Sequence, residues 1–432
     1  MKLFKVAALG SVAVVALSGC GLGSGGSSAA SSKVQQSVDS SAKLSGTISF
    51  QTWALKNDKF TPYFTKLIAD FEKQHPGTTI NWIDQPGDGY ADKVSSEISS
   101  NSLPDVVNLP PDIAYAAVKA GALLNLAKSD PKINQTYVKS GLSDYTYKGV
   151  DGTYAYPWYL GTDVSYWNTD ILKKAGIDQS NLPTTFDGLV AAAKKVHDAT
   201  GGKQFLMSRK PNLYDIMSTG APIMNSDGTK FTFNTDAAAA MIGKYADAYK
   251  AGYMPREVLS SDYQGNDTLF KKQQVGWTTS TGYYITSLKT DNPTLVPKVI
   301  GSPAIGLAPL YSQGISVSAK SKNPALALAF AQFVTSNANQ TAFVGVAKGF
   351  LPGTQAAQSD PRFTTSDGTP AGNAAVLGAK TLPKAKSLGA PQWDQQDSDY
   401  LDQQIALAMT GKQTPKQALD NAVNKANSLL SK

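Results

Sequence analysis

The sequence predicts an α/β fold in two domains, and three observations point to it. Strand-like and helix-like periodicities alternate along the chain, which argues for helices packed on a largely parallel sheet. Roughly 390 residues follow a low-complexity N-terminal stretch, more than one hydrophobic core usually accommodates. The only cysteine is Cys20, so no disulfide within the chain helps to hold a fold together and burial must do so. The net charge of +7 is spread as single or paired lysines and arginines, without the basic block that nucleic-acid binding requires.

The N-terminus carries its own signal. Lys2 and Lys5 precede an apolar run from Val6 to Leu17. That run is shorter than the about 20 residues needed to span a hydrocarbon core, so residues 1–19 read as a secretory signal peptide. Leu17-Ser18-Gly19-Cys20 resembles the bacterial lipobox, which implies that Cys20 is lipidated with diacyl (palmitate-type) chains and becomes the first mature residue. Two acyl chains make a stable anchor. Residues 20–45, nearly all Gly, Ser and Ala as far as Ser32, read as a flexible linker. The expected location is the extracytoplasmic face of the cell membrane, with lipid as the anchor.

Folded sequence begins near Gly46. Ile48 and Phe50 alternate with polar neighbours and predict a strand. Phe60, Tyr63, Phe64, Leu67, Ile68 and Phe71 then repeat at helical spacing, with Pro62 in the first turn. Ile80 and Trp82 alternate again, Val94 and Ile98 mark a helix, Asp105 to Leu109 a strand and Ile113 to Ala120 another helix. Further on, Thr184 or Thr185 is placed to cap a helix running through Leu189 to Val196. Thr235 caps one from about Asp236 to Ala251, with Gly252 at its end. Asn323-Pro324 supplies the cap and first residue of an alanine-rich helix through Val334. Leu401, Ile405 and Ala408 predict one C-terminal helix, and Leu419 through Leu430 another.

This order of segments resembles the family 1 extracellular solute-binding proteins, the group that contains maltose-binding protein. The resemblance is carried by Phe71-Glu72-Lys73-Gln74-His75-Pro76-Gly77 before a strand and by Leu103-Pro104-Asp105-Val106-Val107. Ala120-Gly121-Ala122-Leu123-Leu124-Asn125-Leu126, Tyr154-Ala155-Tyr156-Pro157 leading into Tyr166-Trp167-Asn168, Pro183-Thr184-Thr185-Phe186 and Lys322-Asn323-Pro324 complete it. It implies a two-lobe periplasmic-binding-protein-like fold (type II) with hinge crossings near Leu160–Asp163, Ile305–Leu310 and Lys348–Gly353. Lobe one would then comprise residues 46–160 plus 310–350, and lobe two residues 163–305 plus 353–432. It further implies a carbohydrate, expected to be an oligosaccharide, held in the cleft and delivered by a monomer to the permease subunits of an ABC transporter.

Sugar sites combine aromatic rings for the C–H faces with carboxylates and amides for the hydroxyls. Loops at strand ends supply the candidates Trp53, Asp58, Asn108 and Asp112, the last of which also suits a helix cap. Trp158 and Asp163 flank the first crossing, and Phe350 lies at the third. Tyr283 and Tyr284 follow Gly282 where the resemblance implies an aromatic facing solute, and it likewise implies a stacking aromatic near Trp393. Trp277 reads as core.

The rival readings are a polyamine or other polar solute in the same fold, and a secreted glycoside hydrolase. No pattern selects the carboxylate pair that hydrolysis needs, so a binding protein rather than an enzyme is expected. His75 and His197 are the only histidines, which argues against a metal, and no cofactor motif is present. A phosphate ester would call for arginine, yet Arg209, Arg256 and Arg362 all lie outside the candidate loops.

Overall fold

A computed structural model describes Val38 and residues 43–260 and 265–430. The expected signal peptide, Cys20 and most of the expected linker lie outside the described residues. The first half runs β1 (Gly46–Trp53), α1 (Thr61–Gln74), β2 (Thr78–Gln85), α2 (Tyr90–Ser99), β3 (Val106–Leu109), α3 (Pro111–Lys119), a short α4 (Lys139–Ser143) and β4 (Tyr156–Asn168). Next come α5 (Phe186–Thr200), α6 (Leu213–Ser218), α7 (Asp236–Lys250), β5 (Trp277–Thr281), α8 (Tyr284–Asp291), β6 (Val299–Ser302) and β7 (Leu310–Val317). The chain closes with α9 (Pro324–Val334), α10 (Asn337–Val346), β8 (Leu351–Pro352), α11 (Gln395–Met409) and α12 (Pro415–Leu430). Among the described residues no helix is long and apolar enough to cross a membrane.

The strands lie in the order β2-β1-β3-β7-β4-β5, with β6 and β8 also paired to β4. β1 is parallel to both β2 and β3, as strand–helix alternation predicts. The remaining pairings of these strands are antiparallel, and β7 returns from more than 200 residues away to lie between β3 and β4. β4 is the continuous link. Its Tyr156–Thr162 portion pairs with β7, whereas Asp163–Trp167 pairs with β5 and Ser165–Asn168 with β6.

Two large cores follow from this arrangement, and β4 belongs to both. Tyr156, Trp158 and Leu160 join Phe50, Phe64, Phe71, Phe330 and Phe343 in the first. Trp167 joins Leu189, Phe231, Phe233, Tyr245, Trp277 and Ile405 in the second, while Val164 and Tyr166 bury with Tyr284 in a satellite cluster. The changeover falls at Gly161, where a Cβ would sit 3.5 Å from both the Phe350 and Tyr311 rings.

Side-chain caps start several of the helices. Thr185 accepts from the Gly188 amide and Thr235 from the Ala238 amide, each satisfying one of a helix's free N-terminal donors. Gly252 ends α7 with φ +79°, a conformation glycine adopts without strain. Asn323 departs from its expected capping role. Its side chain makes no cap bond and donates to the Ser45 carbonyl instead, tying the start of the folded chain to α9.

Candidate functional site

A cavity of about 840 Å³ opens between residues packed on the two cores. Its volume falls within the range of about 300–1,000 Å³ typical of small-ligand sites. One wall is the start of α3 (Pro111, Asp112, Tyr115) with α4 and the loop to Lys148. Facing it are Tyr214 on α6, Met224 and Gly228. Leu310 to Gln313 at the start of β7 and the segment 383–393 complete the enclosure.

The aromatic side chains here are held by their own contacts. Tyr147 donates its hydroxyl to the Pro111 carbonyl at 2.9 Å and meets Tyr115 edge-on, the rings 5.2 Å apart. Trp393 stands edge-on to Phe231 and Phe233, both at 5.4 Å, and donates its indole N–H to Ser398 at 2.8 Å. Asp394 and Asp397 form a reciprocal capping box at the start of α11, which fixes the backbone beside that ring. Large apolar side chains usually lie inside, yet Tyr311 is 46% exposed. Rings fixed in this way offer flat apolar faces without a large loss of side-chain freedom on binding.

Besides Asp112, two carboxylates sit in this neighbourhood. Asp144 is 5% exposed, and burial raises its carboxyl to about 6 despite the opposing hydroxyls of Ser312 and Ser387. Burial likewise raises Asp163 to about 6, opposed by the Tyr311 hydroxyl, which donates to it at 3.2 Å. Both charges bear on Tyr214, whose phenol burial already pushes upward. The cavity rim is bridged by polar contacts between the walls. Gln392 donates to the Tyr115 hydroxyl at 3.1 Å and to the Gly228 carbonyl at 3.3 Å, and Lys148 donates to the Asn225 carbonyl at 3.2 Å.

The structure gathers some of the expected residues and separates others. Asp112 and Trp393 line the cavity, and Asp163 adjoins it through Tyr311. Trp158 does not line it: with no exposed surface, its ring packs 4.5 Å from Phe343, because both faces of β4 are covered. Tyr284 is also interior, its hydroxyl donating to Asp267 and its ring 4.9 Å from Tyr166. Tyr283, half-buried at the start of α8, is likewise absent from the lining. Asn108 is fully buried and donates to Gln313 at 3.0 Å, so it supports a lining residue without being one. Trp53 stacks on Tyr90 at 5.7 Å, Asp58 is exposed before α1, and Phe350 packs 4.7 Å from Tyr159. None of these three lines the cavity.

Sequence reasoning missed Tyr115, Asp144, Tyr147, Tyr214, Tyr311 and Gln392. A usable signal existed for two of them. Asp144-Tyr145-Thr146-Tyr147-Lys148-Gly149 crowds aromatics and charge into a stretch without helical or strand periodicity. Sites on loops favour such clusters.

Comparison with known proteins fits this arrangement. The family model for bacterial extracellular solute-binding proteins matches residues 57–341. A protein of Brucella abortus described as a binding protein is 25% identical over 387 residues, covering 87% of this chain and 91% of its own length. The sn-glycerol-3-phosphate-binding periplasmic protein of Pectobacterium atrosepticum is 25% identical over 303 residues, 63% of this chain and 65% of that one. A crystal structure from Synechococcus sp. MITs9220, described as an oligosaccharide periplasmic-binding protein, superposes with a TM-score of 0.75 at 25% identity. That superposition covers 89% of this chain and 99% of the other, and its two-lobe architecture is the one seen here.

Proposed function

We propose, from the premise that this chain belongs to the bacterial extracellular solute-binding proteins, that it captures an oligosaccharide in its cavity and delivers it to an ABC importer. The observation that carries this reading is the lining itself. Tyr115, Tyr147, Tyr214, Tyr311 and Trp393 supply ring surface, while Asp112, Asp144 and Gln392 supply hydrogen-bonding groups, all around one space. Sugar rings need that combination, apolar cover for C–H faces and fixed partners for hydroxyls. The Synechococcus neighbour's description points the same way.

Lipidation at Cys20 would hold the protein at the outer face of the membrane, where the linker lets a monomer reach its permease. The lobes divide as 46–160 plus 310–350 against 163–305 plus 353–432, with closure about the crossings. A solute favours the closed form only by touching both sides, and the cavity offers contacts on both.

A phosphate ester, as in the glycerol-phosphate relative, is the second reading. In its favour, Lys139, Lys148 and Lys386 line the cavity. Against it, the arginines are engaged elsewhere: Arg209 with Asp215, Arg362 with Asp360 and Arg256 over the Tyr249 ring.

The test is a thermal-shift screen of the purified protein against neutral oligosaccharides, sn-glycerol 3-phosphate and spermidine. A ligand at 100 times its dissociation constant adds about 2.7 kcal/mol of stability. The expected result is a shift with an oligosaccharide that Trp393→Ala reduces at least about tenfold in affinity. A shift only with the phosphate ester or the polyamine would replace the solute. Release of reducing sugar would replace binding with hydrolysis.

A further inference from the structure

Among the described residues two large apolar side chains stand open to solvent, Ile83 at 37% exposure and Tyr311 at 46%. Of the two, Tyr311 lines the cavity. Leu310 and Ser312 on either side of it are buried, so the pleat of β7 turns the Tyr311 ring outward. Its seat is on β4. Tyr311 pairs with Gly161, where a Cβ would lie 3.5 Å from the ring, so the missing side chain leaves room for the ring to lie along the strand. Asp163 is two positions further on the same face of β4, and the Tyr311 hydroxyl donates to its carboxylate at 3.2 Å. The ring is therefore held at both ends while it stays exposed. Of the titratable groups that bear on Asp163, Tyr311 comes from β7, Tyr214 from α6 and Tyr166 from β4 itself. Its partner on β5 is Thr281, which does not ionise, and no cation bears on it.

An aromatic ring tied down by its hydroxyl has little further freedom to lose when a ligand stacks on it. We propose that Tyr311 is the platform on which a ring of the bound oligosaccharide stacks, and that Asp163 is a positioning residue that holds this platform by its hydroxyl. This inference rests on the oligosaccharide reading above. Asp163 then touches no sugar and acts through Tyr311. On the lobe division proposed above, Tyr311 belongs to one lobe and Asp163 to the other, so the bond that orients the ring also spans the crossing. Acid weakens this arrangement. A sugar that locks the ring strengthens the bond to the charged carboxylate, whereas the protonated acid is a poorer acceptor. Burial places that titration at about 6.

The test is isothermal titration of the full-length protein with maltotriose, cellotriose, xylotriose and arabinotriose at pH 7.5 and 5.0. Wild type is compared with Tyr311→Ala, Tyr311→Phe, Asp163→Asn and the Tyr311→Phe/Asp163→Asn double variant, each checked for a folded state by ligand-free melting. Tyr311→Ala should bind at least about tenfold more weakly at pH 7.5. Tyr311→Phe and Asp163→Asn should each lose about threefold to tenfold, and the double variant should lose no more than the weaker single one. Asp144 titrates in the same pH window, so the acid response is read as a difference: affinity should fall more steeply towards pH 5.0 in wild type than in Tyr311→Phe. Wild-type affinity in a folded Tyr311→Ala protein, or losses that add in the double variant, would overturn the inference and leave the oligosaccharide reading intact. Should Asp163→Asn not fold, Tyr311→Phe decides, since equal acid responses there and in wild type would also overturn it. A wild type that binds none of the four sugars removes the functional reading and this inference together.

Discussion

Asp144 and Asp163 set the chemistry of the cavity through burial more than through any partner. Their carboxyls titrate at about 6 in the folded chain, above the about 3.9 of an unfolded aspartate. Between those values the folded chain holds more protons than the unfolded one, so stability declines as pH rises through about 4 to 6. Replacing Asp144 by Asn should therefore stabilise the ligand-free protein at pH 7 by about 1–2 kcal/mol, after allowing for a weakened bond from Ser312. Urea unfolding at pH 4.5 and pH 7 checks this: the gain should shrink at the lower pH. Single residues were also where the sequence was least legible. Trp393, which lines the cavity, sits in a loop beside a cap where aromatics stand out from any periodicity, whereas Trp158 lies on a strand covered on both faces, which gives no alternation to read. Asp144 and Ser312 are 168 positions apart, so no local pattern could join them.

The secondary-structure elements were far more legible, since caps and periodicity are local. Thr185, Thr235 and the hydrophobic spacing of α1, α11 and α12 fall where the expected helices do. The antiparallel return of β7 was not legible, because partner choice depends on the whole topology. β7 also contains the tightest backbone position beside the cavity. A Cβ on Gly314 would lie 2.5 Å from Tyr145 Cζ and 2.7 Å from the Ala155 Cβ. Tyr145 cannot give way freely, since its hydroxyl donates to the Leu109 carbonyl at 2.9 Å. Gly314→Ala should thus lower stability by about 1–3 kcal/mol, read as a drop in the urea midpoint at constant slope. An unchanged midpoint would mean that β7 shifts without resistance.

At the scale of the whole molecule, the two-lobe architecture was legible from segment order, while the closeness of the walls came only from the structure. Gln392, Tyr115 and Lys148 bridge those walls. A few polar contacts of this kind contribute about 0.5–1.5 kcal/mol each, enough to bias the closure proposed above without fixing it. Tyr115→Phe combined with Lys148→Ala should raise the radius of gyration of the ligand-free protein in small-angle scattering, and an added ligand should restore it. An unaltered profile would mean that the bridges carry no weight in closure. The pairing of β3 with β7 has a consequence in time as well as in space. Val106 has no partner on that side until Val317 exists, so the central sheet cannot be completed on a ribosome-bound chain before about three-quarters of the protein has been made. A chain released or halted short of that point keeps an unpaired strand edge along β3.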